Sequence, residues 1–263
     1  MHRLTYLNSN LRDGKLIRWP KECFPLPVYI APCTWYSLSE ADRFVYVNMV
    51  IEALNYWESV AGGRISFRRA NTLMESQMNV EWRRVDRKSL GTCYFNFDQN
   101  SRLYSAEVSI GISDGIIHKK YMDEKEVFHT ILHEIGHGLG LGHSNNPEDI
   151  MFTPHKYGVV RLSQRDIKSL HWLYDLPYGA STQSLNTAYS TNFNNMDDII
   201  LQMVNGKTES QFEKTLKSTT IQSRNLQEEQ DKIAEIRKFQ MSLQNIKLPE
   251  DIAKNFRKDD TLK

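Results

Sequence analysis

The chain is poor in the features that place a sequence in an easy class. Its 263 residues include three cysteines, Cys23, Cys33 and Cys93, which allow at most one disulfide with a thiol left over. That count excludes a disulfide-stapled scaffold and leaves the redox compartment unassigned. No apolar run approaches the roughly 20 residues that span a bilayer, so no membrane span is expected. The first ten residues, Met1 to Asn10, contain no apolar h-region, so no signal peptide is expected in this chain. Lys and Arg number 33 against 32 Asp and Glu, and this balance offers no electrostatic reason to bind nucleic acid or an anionic membrane surface. No internal repeat is present. The length allows one good-sized domain with an appendage.

What is present is concentrated in one stretch, His133-Glu134-Ile135-Gly136-His137-Gly138-Leu139-Gly140-Leu141-Gly142-His143. An α-helix turns about every 3.6 residues, so His133 and His137 share one face. Two neutral imidazoles so placed can bind one Zn²⁺ at about 2.0–2.1 Å each. Glu134 stands beside the first ligand, where a carboxylate base can reach a water at the metal. Gly140 can adopt the left-handed conformation that ends a helix. The chain then doubles back and His143 approaches the same point. Three protein ligands leave a coordination position for water and substrate, as catalytic zinc requires.

This string is complete at every fixed position of HExxHxxGxxH, and it resembles the metzincin metalloproteases. Met151, eight residues past His143, resembles their Met-turn, a soft apolar floor under the imidazoles. The His143-Ser144 pair and the Pro147…Ile150-Met151 pattern are similar to the matrixin branch. In that branch the segment after the Met-turn forms the wall of the main specificity pocket, which implicates Pro154 to Tyr157. Thr153 stands where related branches carry a switch tyrosine, so no such switch is expected. Leu162 to Tyr174 resembles the last matrixin helix, with Ser163 as N-cap and Asp166 as its acidic capping partner. Many matrixins have two adjacent aspartates there. Arg165 replaces the first, which removes the partner of a mature N-terminus, and Asp166 is left to support the Met-turn.

The upstream half reads as the upper part of such a domain. Strands are expected at Phe24–Ala31, Ile65–Arg68, Asn79–Val85 and Glu107–Ile112, from their β-forming residues and turn-rich flanks. Ser37-Leu38-Ser39-Glu40 reads as a capping box. It opens a helix whose Val47, Val50, Ile51, Leu54 and Trp57 form one apolar face ended by Gly62-Gly63. The last strand is expected at the sheet edge above the site, where Ser109 and Ile110 would hold a peptide as an added strand. Asp123 to Glu126 cap the zinc helix. His129, one turn before His133, reads as a partly buried histidine paired with backbone; His118, His155 and His171 read as surface residues.

The resemblance implies an α+β, zincin-like fold: a twisted mixed sheet with long helices, an active-site helix, and a small C-terminal subdomain with the Met-turn. Residues 1–22 are then an N-terminal extension and 23–178 the catalytic domain, with an upper part to 142 and a lower part from 143. Residues 179–263 form a polar linker and a helical tail, with helices around Met196–Val204 and Glu209–Ile246. The tail is a possible partner contact. One catalytic zinc is implied. No histidine lies between Trp82 and Ile117, so the structural zinc of matrix metalloproteinases is not expected; their calcium loop is missing too, and calcium is left open. Cys23 does not match the family's latency motif. The implied activity is hydrolysis of peptide bonds in a peptide or protein substrate, with Glu134 taking a water's proton and passing it to the leaving amine. A zinc module that binds peptides without cleaving them, and a hydrolase of non-protein amides, are the alternatives. Extracellular or periplasmic placement follows from the resemblance alone.

Overall fold

A parallel strand covered on both faces needs apolar residues with little interruption, and Leu26-Pro27-Val28-Tyr29-Ile30 supplies them. It forms β1 (Leu26–Ile30) at an interior place in a five-stranded sheet. The structure, a computed structural model, describes residues 3–34, 40–85, 89–112 and 123–205. The chain divides into two units, Met1–Gln211 and Phe212–Lys263, and the fold described is that of the first. The expected capping box at 37–40 and the tail helix from 209 lie outside the described residues.

The remaining elements are α1 (Glu40–Val60), β2 (Phe67–Arg69), β3 (Met78–Arg84), β4 (Gly91–Phe97), β5 (Leu103–Ile112), α2 (Glu124–Gly138), α3 (Gln164–Asp175), α4 (Thr182–Tyr189) and α5 (Met196–Asn205). Strand order is β2-β1-β3-β5-β4. Neighbours run parallel except β4, which pairs antiparallel with β5 in the register Thr92↔Ser109 and Tyr94↔Glu107. The result is a mixed sheet of an α+β fold in which, among the described residues, β4 is the edge strand near α2.

That edge corrects the sequence expectation. β5 was expected there, but β4 covers it, and Ile110 is fully buried while the Ser109 hydroxyl donates to Glu81. β4 escapes detection because it is an edge strand with half-exposed and exposed residues and no clean apolar alternation.

Helix α1 buries Met49, Val50, Ala53, Leu54 and Trp57, leaving Val47 and Ile51 half-buried. It ends at Gly62 and Gly63, both left-handed with φ of 60° and 78°. The Trp57 indole N–H donates to Leu132 O at 3.1 Å, which fastens α1 to α2. On its other side α2 packs against β5 and β4.

Residues 3–22, expected to precede the domain, contribute to its core. Tyr6, Leu7, Leu16, Ile17 and Trp19 are buried, and Trp19 donates to Gly138 O at the end of α2, at 2.7 Å. Within the stretch expected as a linker, Ser181 caps α4, and the expected helix after it is α5. Asp197 of α5 is buried and accepts hydrogen bonds from Thr5 Oγ1, Leu7 N at 2.8 Å and Asn8 N at 3.3 Å. Serine, threonine and asparagine read as loop formers, but here they cap and bridge.

Asp197→Ala strands two backbone N–H groups and a hydroxyl beside the core. A loss of about 2–4 kcal/mol is expected in urea unfolding; an unchanged midpoint would show that the N-terminal segment is not held this way.

Candidate active site

The helix that carries the site starts with Asp123, whose carboxylate accepts from Lys125 N at 2.9 Å. About three turns on, His133 and His137 face the same way, with their Nε2 atoms 3.1 Å apart. Helix α2 stops at Gly138, and Gly140 takes φ of 96°, which a side chain would strain. A Cβ there would also strike Ile17 O at 2.5 Å. The turn brings His143 round until its Nε2 is 3.1 Å from that of His137.

Backbone carbonyls set the ring orientations. The His133 Nδ1–H donates to Ile150 O and the His137 Nδ1–H to Leu141 O, both at 2.8 Å. A carbonyl only accepts, so the proton sits on Nδ1 and each Nε2 keeps its lone pair. Ligand nitrogens about 2.0–2.1 Å from a tetrahedral zinc lie about 3.3–3.4 Å apart. The observed spacing and three imidazole donors therefore fit such an ion. No other group of three such side chains with ligand spacing occurs among the described residues.

Met151 is fully buried, close to Gly136 of α2. Gly136 is required here, since a Cβ on it would overlap the Met151 sulfur. The turn is held by Ser144 N donating to Met151 O at 2.7 Å and by Ile150 N donating to Asp166 Oδ2 at 2.8 Å. Asp166 also closes the capping box with Ser163 and accepts from Tyr6 Oη at 2.9 Å. Its expected role as support of the Met-turn is thus met. Arg165 has a different partner from the aspartate it replaces: its guanidinium reaches buried Asp149 at 3.2 Å and Thr5 O at 3.1 Å.

Glu134 is 6% exposed, and burial pushes its carboxyl up to about 8, with Arg83 opposing. Gly91 at the start of β4 presses on it; a Cβ there would lie 2.7 Å from Glu134 Oε1. Burial, with the neighbouring rings, pushes the His133 imidazole down to about 3, and burial pushes His137 down to about 4.

These groups open into a cavity of about 540 Å³, bounded by α2, β4 from Gly91 to Phe95, the segment Phe152–His155, and Arg12. Of the expected pocket residues, Pro154 lines it. Tyr157 does not, and its hydroxyl donates to Asp123 at 3.2 Å out on the rim. Ser109 and Ile110 sit one strand away from it. The lining contributed by β4 and Arg12 was not foreseen; an edge strand and a distant arginine leave no local signal. His129 is buried, as expected, with its Nδ1 on Val159 O, and burial pushes it down to about 4. His155, expected at the surface, is exposed yet pairs with buried Glu126. His171 donates to Val60 O at 2.6 Å; His118 lies outside the described residues.

In the metal-free protein Glu134 holds its proton to about pH 8, while in the unfolded chain it releases it near 4.5. Between these values the folded state binds more protons, so this group's contribution to stability falls as pH rises. Glu134→Gln removes that dependence. Its melting temperature, measured without metal, should exceed that of the wild type by more at pH 8 than at pH 5; an equal gap at both would refute the raised proton affinity.

Comparison with known proteins agrees with this geometry. The matrixin family profile matches residues 34–175, more than half of the chain. Rat macrophage metalloelastase is 46% identical over 54 residues, covering 19% of this chain and 12% of that protein. Rat stromelysin-2 is 42% identical over 52 residues, 18% of this chain and 11% of its own length. Rabbit macrophage metalloelastase is 35% identical over 82 residues, 26% and 18% respectively. The chain thus matches less than a fifth of the length of these curated relatives. With the matched span, the mixed five-stranded sheet and the three converging imidazoles on the page, the chain belongs to the matrixin family.

Proposed function

We propose that this chain is a zinc-dependent endopeptidase. The observation that carries the reading is the convergence of three imidazole Nε2 atoms beside a buried carboxyl, in a cavity bounded by the last strand of the described sheet. His133, His137 and His143 hold the metal, and Met151 floors it. When bound there, zinc supplies Lewis acidity, lowering the pKa of a water and polarising a carbonyl.

The chain's own residues do the rest. Among the described residues strand β4 pairs with β5 on one side only, so its other N–H and C=O groups can take a peptide as an added strand. A peptide so held runs across the histidines with its backbone positioned before any side chain is read. Glu134, within reach of the same point, accepts a proton from the attacking water and returns it to the leaving nitrogen. Gly91 leaves room for that carboxylate and sets its position. Pro154 contributes to the wall of the side-chain pocket.

The test uses purified protein, a metal assay and a quenched fluorescent peptide library on one sample. About one zinc per chain with chelator-sensitive cleavage is expected. Glu134→Ala should keep the metal and lose about 10²–10⁴-fold in turnover, whereas His143→Ala should lose metal. Zinc at one equivalent without cleavage of any peptide would replace this reading with that of a peptide-binding zinc module.

A further inference from the structure

At the end of the cavity away from His129 stands Arg12, the one lysine or arginine among the described lining residues. It comes from the N-terminal segment, outside the family-matched span of residues 34–175. Its backbone closes a two-residue hairpin with Lys15: Arg12 N donates to Lys15 O at 2.8 Å and Lys15 N to Arg12 O at 2.9 Å. Asp13 and Gly14 fill the turn with φ of 49° and 76°, the positive values that so tight a turn needs. The hairpin is anchored on both sides. Before it, Ser9 donates to His143 O at 2.5 Å and Asn10 to Gly140 O at 3.3 Å. A Cβ on Gly142 would lie 2.7 Å from Ser9 O, so this segment presses directly on the ligand loop. After the hairpin, Leu16 N donates to Ala180 O at 2.8 Å. The base of the Arg12 side chain is therefore set at a fixed place beside His143.

The guanidinium itself is uncommitted. Among the described residues no carboxylate pairs with it and no oxygen accepts from it; the contact it makes is with the Phe95 ring, 5.9 Å from the centroid. Its charge nevertheless reaches the site, since burial and then Arg12 hold the His143 imidazole below its usual range. A guanidinium has five N–H donors and no acceptor, and a carboxylate matches it in both charge and shape. Strand β4 gives the direction. Gly91 abuts Glu134, and Phe95 lies four residues on, on the same face, roughly 13 Å along the strand. Glu134 returns its proton to the leaving nitrogen, so the half of the substrate after the cut lies toward Gly91. The half before the cut then lies toward Phe95 and Arg12.

We propose that Arg12 determines specificity by holding an acidic side chain of the substrate within the three residues that precede the scissile bond. Glutamate or aspartate is selected there over neutral and basic side chains. The inference rests on the endopeptidase reading and narrows its substrate class. The Phe95 ring lies against the guanidinium without taking its N–H groups, which leaves them for the carboxylate. A basic side chain at this place is repelled by Arg12 and by the metal that the imidazoles would hold. No second lysine or arginine lines the cavity among the described residues, so the preference is confined to this half of the substrate.

The test remakes peptides selected from the library in pairs that differ only by glutamate or glutamine, one position at a time. Turnover is measured on zinc-loaded wild type, and binding by fluorescence anisotropy on zinc-loaded Glu134→Ala. At one of the three positions before the cut, glutamate should be favoured about five-fold at low ionic strength in both assays. That is the size of one exposed charge pair, and added salt should shrink it. Arg12→Gln should bring the ratio to parity and Arg12→Glu should invert it; metal content and melting temperature check that each variant is folded and loaded. A wild type that does not favour glutamate at any of these positions overturns the proposal. So does a preference that survives in Arg12→Gln, which would assign it to the metal. The wild-type comparison stands even if an Arg12 variant does not fold. Glutamate-selective binding without cleavage would overturn the endopeptidase reading and leave the Arg12 site standing. Cleavage without the preference would do the reverse.

Discussion

Three imidazoles must point their lone pairs at one spot, and they do so because backbone carbonyls hold the opposite nitrogens. Ile150 O and Leu141 O fix the His133 and His137 rings, and each carbonyl is itself held by something else. Ile150 lies in the Met-turn, whose N–H is taken by Asp166. Leu141 follows the left-handed Gly140, whose missing side chain admits Ile17 of the N-terminal segment. The orientation of two rings thus draws on α3, the Met-turn and the start of the chain. Burial keeps both rings neutral, so their Nε2 lone pairs stay available to a metal ion.

The N-terminal segment deserves its place in that account because it lies outside the span matched by the family, residues 34–175. Ser9 donates to His143 O, Asn10 to Gly140 O, and Arg12 borders the cavity. The segment is in turn held by Asp166 through Tyr6 and by Asp197 of α5. Arg165 fits the same scheme, since its charge is met by buried Asp149 and its guanidinium also grips Thr5 O. In this chain, then, an interior stretch and a carboxylate from beyond the matched span brace the ligand loop.

Two polar clusters flank the metal site and have different tasks. Glu134 is buried, and burial outweighs the pull of Arg83, so its proton affinity rises; a group poised in that way suits proton transfer. Glu126, eight residues earlier on the same helix, spends both oxygens on the wall segment and has no such freedom. Helical spacing separates the two carboxylates by about two turns, which places one in the cavity and the other against the wall segment.

Much of the site was legible because its chemistry is local. His133, Glu134 and His137 are related by helix periodicity, Gly140 by the conformation it alone adopts cheaply, and Ser163 with Asp166 by a capping pattern three residues long. Those relations hold wherever the helix forms. The edge strand β4 was missed because exposure on an edge erases the apolar alternation that marks a strand, and so Ser109 and Ile110 were assigned a position that belongs to Gly91–Phe95. The packing of residues 3–20, the reach of Arg12, and the meeting of His129, His155 and Glu126 are contacts between segments far apart in the chain. Short-range steric and hydrogen-bond preferences therefore determined the three converging imidazoles and the carboxyl beside them from sequence alone. The shape and polarity of the cleft were decided only by tertiary packing, because no local preference specifies which distant side chain fills a given space.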